Sequence, residues 1–353
     1  MSIAAKLGRP DILALTPYSH AAWDPSLERL HANENPWRAS ADKSDAGLNR
    51  YPEPDPITLE SRLATLYGVT ANQLLVGRGL DEGIDLLMRA FLVPGRDALV
   101  QCPPTFGMYA VAAKIQGAEI IHVPLTGDGT FALNVNGLLA ACSARTKLVM
   151  LCSPNNPTGN VIPRDQIRAL ARQLNDQALL VVDEAYIEFS DTPSLLDCLT
   201  EHPNLVVLRT LSKAYGLAGA RCGTVLAAPD IIDLLRRIRP PYSMATPATE
   251  AILCALSADA RREAKTQVSL VISERARLQH ALAAIPLITR VYPSEANFLM
   301  VACQSADTLM ARAKRAGFLL RDVSYHPQTR ACVRITIGTP AQNDRLLEGL
   351  SIP

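Results

Sequence analysis

The sequence predicts an α/β fold, with a large domain on a mainly parallel sheet flanked by helices and a smaller α+β domain beside it. Three observations carry this reading. Strand-length apolar runs alternate with helix-period segments from about 70 to 230. The run Ala178-Leu-Leu-Val-Val182 is unbroken, as in a strand buried on both faces of a parallel sheet. The residues able to do chemistry stand at the C-terminal ends of such runs, where open α/β sheets bind ligands. At 353 residues, 48% of them hydrophobic, the chain can bury more than one core. We expect the large domain at 46–245 and the smaller one at 1–45 with 246–353.

Taken in order, residues 1–57 read as irregular and rich in Pro, Asn and charge. Two pieces stand out, Leu30-His-Ala-Asn-Glu-Asn-Pro36 and Asn49-Arg-Tyr-Pro-Glu-Pro54, and each taken alone is a turn. Thr58–Tyr67 forms a helix with Leu59, Leu63 and Leu66 on one face and Gly68 as its stop. Leu74–Val76 is a strand that ends in Gly77-Arg-Gly79, and Asp81 stands where it could cap a helix bearing Ile84, Leu87, Met88 and Phe91. A glycine turn entering a helix offers free N–H groups to an anion, but the same residues suit a plain strand–turn–helix. Phe106 follows the strand Ala98–Val100, as a stacking face or as a core aromatic.

Strands at 119–123 and 147–152 come next, the second running into Ser153-Pro-Asn-Asn-Pro-Thr-Gly159. Pro163 opens a helix with Ile167, Leu170, Ala171 and Leu174 at the 3.6 period. Ala178–Val182 ends in Asp183-Glu-Ala-Tyr186, and Leu205–Leu208 leads into Arg209-Thr-Leu-Ser-Lys213. A strand at 223–228, a helix near 231–238 and the break Pro240-Pro241 close the large domain. The smaller one reads as a long helix over 260–284, a strand at 298–301, a helix at 307–316, and strands near 318–320 and 332–337. The long helix carries Val268, Val271, Ile272, Leu278 and Leu282 as its stripe, and Arg334 sits on the last strand.

Thirty-five basic against 34 acidic residues leave a net charge of +1, and the mean hydropathy is +0.09. So balanced a chain has no long-range field to draw nucleic acid or an anionic membrane, and no apolar run is long enough to span a bilayer. The first ten residues hold no apolar leader segment. Eight scattered cysteines without CxxC spacing suggest reduced thiols, a cytoplasmic setting and no metal site.

Lys213 is the centre of the chemical reading. It follows a strand end, among the hydroxyls of Thr210 and Ser212, small residues, and the cations Arg209 and Arg221. Desolvation or a neighbouring cation favours the neutral amine, which forms Schiff bases with carbonyls. Hydroxyls and a guanidinium suit a phosphate. A lysine of this kind beside a phosphate cradle describes pyridoxal 5′-phosphate (PLP), although a surface lysine in a glycine-containing loop fits this one segment as well. PLP also needs an acid at its ring nitrogen, donors to its phenolic oxygen and a stacking partner. Asp183, Tyr186, Asn156 and Phe106 are the residue types required, each near a strand end.

With Asn33-Glu-Asn-Pro36, Asn49-Arg-Tyr-Pro52, Arg78-Gly-Leu-Asp-Glu-Gly83, Pro103–Tyr109, Ser153–Gly159, Asp183–Tyr186, Arg209–Lys213, Gly219–Gly223 and Val333–Gly338 in hand, the chain resembles the fold-type-I PLP-dependent aminotransferases. Within them it is similar to the histidinol-phosphate aminotransferases. The resemblance implies that Lys213 bonds the cofactor and moves the substrate's proton, that Asp183 pairs with the ring nitrogen, and that Asn156 and Tyr186 hold the phenolic oxygen. It implies stacking by Phe106, and a phosphate held by the backbone of Gly79, Leu80 and Asp81 with Thr210, Ser212 and Arg221. Tyr51 would reach the phosphate in a second subunit, so a homodimer with shared active sites is expected. Arg334 would bind the substrate's anionic group, with Arg321, Tyr18 and Asn33 as further substrate contacts. His31 stands where relatives often carry Asn. A cis bond is expected at Asn156–Pro157. The implied reaction passes an amino group from L-histidinol phosphate to 2-oxoglutarate, giving glutamate. Threonine-phosphate decarboxylases and aromatic aminotransferases share much of the pattern.

Overall fold

The computed structural model describes residues 2–352 apart from Ala21, Pro25 and Asp128. Seven strands form the main sheet: β1 (Leu74–Arg78), β2 (Ala98–Gln101), β3 (Glu119–His122), β4 (Thr146–Cys152), β5 (Leu179–Asp183), β6 (Leu205–Thr210) and β7 (Cys222–Leu226). Their order is β1-β7-β6-β5-β4-β2-β3. From β3 to β6 all neighbours are parallel, and β7 runs antiparallel to both β6 and β1.

The central strands obey a period of two that positions the site. Leu179 and Val181 enter one buried cluster, while Leu180 and Val182 enter another on the opposite face. In β6, Val206 and Leu208 join the first cluster, and Leu205 and Val207 the second. Each such side chain contributes roughly 1.5–3 kcal/mol on burial, so the register is strongly specified. Continuing the first parity past the cores brings Cys152, Asp183 and Thr210 to one face at the C-terminal edge. Glu184 and Arg209 fall on the other.

A second, antiparallel sheet has the order β10-β11-β9-β8, built from β8 (Ile288–Val291), β9 (Phe298–Cys303), β10 (Arg321–Asp322) and β11 (Cys332–Thr336). Its core holds Leu299, Val301, Val333 and Ile335 against Leu278 and Leu282 of the helix Ala258–Ala283, Leu309 of Ala306–Arg315, and Leu346 and Leu350 of Pro340–Ser351.

Several elements differ from expectation. The helices Met108–Ile115, Val135–Ala141, Thr246–Ala255 and Pro340–Ser351 and the strand β8 were not foreseen. Val135–Ala141 buries only Leu138 and Thr246–Ala255 only Ile252, so neither displays an apolar period. The strand expected at 318–320 forms instead at β10, which pairs Arg321 with Arg334. The long helix buries Glu274 within its stripe, paired to Arg277 and receiving Asn343 Nδ2 at 2.8 Å. Asp81 does not cap the helix Leu80–Phe91: Gly79 is the N-cap and no side chain serves it. Nor is the N-terminal segment wholly irregular. Ile3–Leu7 is a short helix packed into the main core, and Ala4 N–H donates to Asp230 Oδ2 at 2.8 Å.

Candidate active site

The strand ends open into a cavity of about 630 Å³. Leu80, Asp81, Phe106, Asn156, Asp183, Tyr186, Thr210, Ser212, Lys213, Arg221, Arg321 and Arg334 all line it. Twelve of the expected residues, drawn from a span of some 250 positions, therefore meet in one place.

Lys213 sits in the turn after β6, its side chain open to the cavity and its Nζ 5.8 Å from the centre of the Tyr186 ring. Burial, then the Arg334 guanidinium, hold its amine below the ordinary lysine value. Asp183 is buried at the end of β5. Burial raises its pKa, and three neighbours act against that rise. Tyr109 Oη donates to Oδ2 at 2.6 Å, Ala185 N–H donates to Oδ1 at 3.0 Å, and Lys213 is cationic when protonated. Tyr109 is fully buried, and no sequence rule pointed its hydroxyl at an acid 74 residues away. Its place three residues after Phe106 was the only available hint. Tyr325 and Cys152 also line the cavity and were not foreseen as site residues.

Asn156 follows the cis Ser153–Pro154 bond, and its own bond to Pro157 is cis as expected. Arg334 Nη1 donates to Asn156 Oδ1, which turns the amide N–H toward the Tyr186 hydroxyl at 3.4 Å. Arg334 also lies over the Phe298 ring at 5.2 Å. Its cross-strand partner is Arg321, and neither forms a salt bridge with a carboxylate among the described residues. Like charges directly opposite on a sheet are unfavourable, so this end of the cavity calls for an anion.

The other end of the cavity is built on the glycine turn that enters the helix Leu80–Phe91. Gly79 has φ of +80°, and a Cβ there would stand 2.5 Å from Arg221 Nη2. A Cβ on Gly223 would stand 2.4 Å from the Gly79 carbonyl carbon. The positive φ at Gly79 and the backbone contact at Gly223 both require glycine, and Leu80 and Asp81, whose first-turn N–H groups have no intrahelical partner, line the cavity there. Arg221, itself left-handed at φ of +53°, is held by Asp81 Oδ2 at 3.2 Å. Thr210 donates its hydroxyl to the Cys222 carbonyl at 3.0 Å and accepts Ser212 N–H at 3.1 Å, so it shapes the turn. Arg209, read as a second cation near the lysine, faces away from the cavity. It bonds Glu188 at 2.7 Å and lies 3.6 Å from the buried Glu184.

The donor set fits PLP: an amine held below the ordinary lysine value, a buried acid, an amide–phenol pair, an aromatic face and a glycine turn at a helix N-terminus. Three expected residues lie elsewhere. Tyr18 is 73% exposed, and Asn33 lies in the N-terminal segment with φ of +56°. Tyr51 is 51% exposed and lines a separate cavity with Trp23, Arg29, Arg50 and Met244. The ring of His31 meets the Ala22 carbonyl at 2.7 Å. Among the described residues no cluster of metal-ligating side chains occurs, and no helix is long and apolar enough to cross a membrane.

Residues 26–350 match the family model for aminotransferase class I and II. The histidinol-phosphate aminotransferase of Stenotrophomonas maltophilia is 47% identical over 98% of this chain and 96% of its own length. That of Xylella fastidiosa is 48% identical over 90% of this chain and 87% of its own. Among solved structures, the histidinol-phosphate aminotransferase from Sinorhizobium meliloti in complex with pyridoxal-5′-phosphate superposes with a TM-score of 0.77 at 29% identity, covering 86% of this chain and 82% of that one. With its strand-end lysine, acid and arginine gathered in one cavity, the chain belongs to the class I and II aminotransferases and, within them, to the histidinol-phosphate aminotransferase family.

Proposed function

We propose that the protein transfers the amino group of L-histidinol phosphate to 2-oxoglutarate, forming imidazole-acetol phosphate and L-glutamate in histidine biosynthesis. One observation carries this reading: a lysine with a lowered pKa stands in the same cavity as a buried carboxylate and two arginines facing each other, in a chain so similar to histidinol-phosphate aminotransferases.

The residues divide the work. Leu80 and Asp81 N–H groups, Ser212 and Arg221 would hold the cofactor phosphate at the helix N-terminus, with Gly79 and Thr210 shaping that cradle. Phe106 would pack on the ring, Asn156 and Tyr186 would donate to its phenolic oxygen, and Asp183 would keep its nitrogen protonated. When bound, PLP supplies an aldehyde for the amine and a ring that draws electrons from the adjoining carbon. Lys213 Nζ, which opens onto the cavity, would take the proton from the carbon that bears the amino group. Arg334 orients the substrate by its far anion. Histidinol phosphate has no α-carboxylate, so its phosphate would occupy the place of glutamate's carboxylate, and a guanidinium forks onto either. Arg321 is a further substrate contact in this reading, whereas Tyr18 and Asn33 lie outside the cavity.

We propose a homodimer with shared sites. Among the described residues, nine of the fifteen exposed large apolar ones lie from Leu15 to Ile57, the segment that carries Tyr51, and such a concentration supports an interface there. The two-domain division, 46–245 against 1–45 with 246–353, is part of the same reading. A cytoplasmic setting accords with eight free cysteines.

The test is a coupled assay with L-histidinol phosphate and 2-oxoglutarate. Glutamate and the keto product should form one to one, and no turnover should occur without the acceptor. Acceptor-independent release of CO2 from a phosphorylated amino acid would assign a decarboxylase instead.

A further inference from the structure

The two N-terminal turns that look separate in sequence form one structure around Glu34. Its side chain is almost fully enclosed, 2% exposed. Oε1 accepts the Tyr51 N–H at 2.7 Å, and Oε2 accepts Arg50 Nη1 at 2.9 Å. Arg29 Nη1 lies 3.6 Å from Oε1 and donates to the Tyr51 carbonyl at 3.1 Å. Arg50 Nη1 also donates to the Arg29 carbonyl at 3.1 Å, and Asn49 Nδ2 to the Asn35 carbonyl at 2.8 Å. The N–H and carbonyl of Tyr51 are thus both gripped, one by Glu34 and the other by an arginine that Glu34 pairs with.

The ring of Tyr51 rests on that of Tyr242, centroids 4.8 Å apart and planes 29° from parallel. Its hydroxyl has no hydrogen-bond partner among the described residues. A half-exposed tyrosine otherwise samples several rotamers. Here the fixed main chain sets the direction of its Cα–Cβ bond, and the stacked ring sets the rest. Burying a carboxylate is costly unless donors and opposite charge surround it, and this one has two donors and the Arg29 guanidinium 3.6 Å away. An enclosed ion-paired knot is more than a simple connecting turn requires.

We propose that Glu34 is a positioning residue whose role is to present the Tyr51 hydroxyl to an anion in a second copy of this chain. The inference rests on the shared-site reading, in which that anion is the cofactor phosphate. It gives the Asn33-Glu-Asn-Pro36 stretch a physical task, and it predicts that Glu34 acts on cofactor affinity only through Tyr51.

A double-mutant cycle tests it. The full-length dimer, stripped of cofactor, is titrated with PLP by absorbance in four forms: unaltered, Tyr51→Phe, Glu34→Ala, and both together. Losing a hydrogen bond to a charged group should raise the dissociation constant of Tyr51→Phe about tenfold. Glu34→Ala should raise it about three- to tenfold in the unaltered background and leave it unchanged in the Tyr51→Phe background. Where Glu34→Ala fails to fold, Glu34→Gln supplies the same cycle, because it loses the charge and one acceptor. An equal factor in both backgrounds, or none in either, overturns the positioning role while leaving the shared site standing. Tyr51→Phe binding PLP as tightly as the unaltered protein overturns the shared site and this inference together.

Discussion

The cavity around Lys213 and the arm from Leu15 to Ile57 hold their key residues by opposite means. Cys152, Asp183 and Thr210 are delivered by strands whose preceding residues are buried on both faces, so their directions follow from register. Tyr51 has no ladder beneath it. Its position depends on Glu34, Arg29 and the Tyr242 ring. A group set by a sheet stays in place when a neighbouring side chain changes. One set by a few side-chain bonds moves when any of them is lost. The first arrangement suits proton transfer, which needs fixed distances. The second suits a contact completed by another subunit.

The comparison breaks most visibly at Lys213. Lys213→Ala should retain the fold and bind PLP yet lose on the order of 10³-fold or more in turnover, within the range that general acid–base groups supply. Borohydride should fix the cofactor to Lys213 in the unaltered protein, and peptide mapping finding it on another lysine would reject the assignment. Asp183→Asn should cost about 10²-fold, because an amide does not hold a ring nitrogen protonated as a carboxylate does. Steady-state turnover near that of the unaltered enzyme would give this acid another role.

Arg334→Ala should weaken both half-reactions by about 10- to 100-fold in kcat/KM, the range for a lost charged hydrogen bond. Single-turnover measurements with glutamate and with histidinol phosphate separate the two. Damage to the glutamate half alone would move the phosphate to Arg321, which lines the same cavity.

The arm is tested by mixing. Dimers co-refolded from Lys213→Ala and Tyr51→Phe chains hold one site with both residues intact, if the tyrosine serves the other subunit. At limiting PLP their activity should approach half that of the unaltered dimer and exceed the mean of the two parents. Activity at the parental mean, with heterodimers shown present, would return Tyr51 to its own chain's site.

The smallest effect is a pH midpoint. Lys213 is held below the ordinary value of 10.5 by burial and then by Arg334, so its amine loses its proton at lower pH than a free lysine. The rate of PLP capture by the cofactor-free protein should therefore rise with pH through a midpoint below 10.5. Removing the cation in Arg334→Ala should move that midpoint upward. A fall, or no change, would mean that Arg334 does not act on the lysine.

Much of the fold and of the cofactor site was legible in the sequence, because both follow from local patterns. Ala178–Val182 could be placed in a central parallel strand from its unbroken apolar run, and Asp183 at a strand end from its position after it. Gly77-Arg-Gly79 was legible as a turn entering a helix, whereas the close approach of Gly223 to the Gly79 main chain was not. Elements that bury a single side chain, such as Val135–Ala141 and Thr246–Ala255, left no period to find.

Tertiary structure decided what depends on distant partners. The Tyr109 hydroxyl reaches Asp183 across 74 residues, and Arg321 faces Arg334 because β10 pairs with β11. Arg209 and Arg221 flank the same lysine, yet parity at the end of β6 turns one toward Glu184 and Glu188, while a left-handed turn opens the other to the cavity. Sequence determined which residue types were present and their spacing along the chain, since helix and strand periods and glycine conformations are local. Which side chains meet is set by packing between elements far apart in the chain, and no local period encodes that.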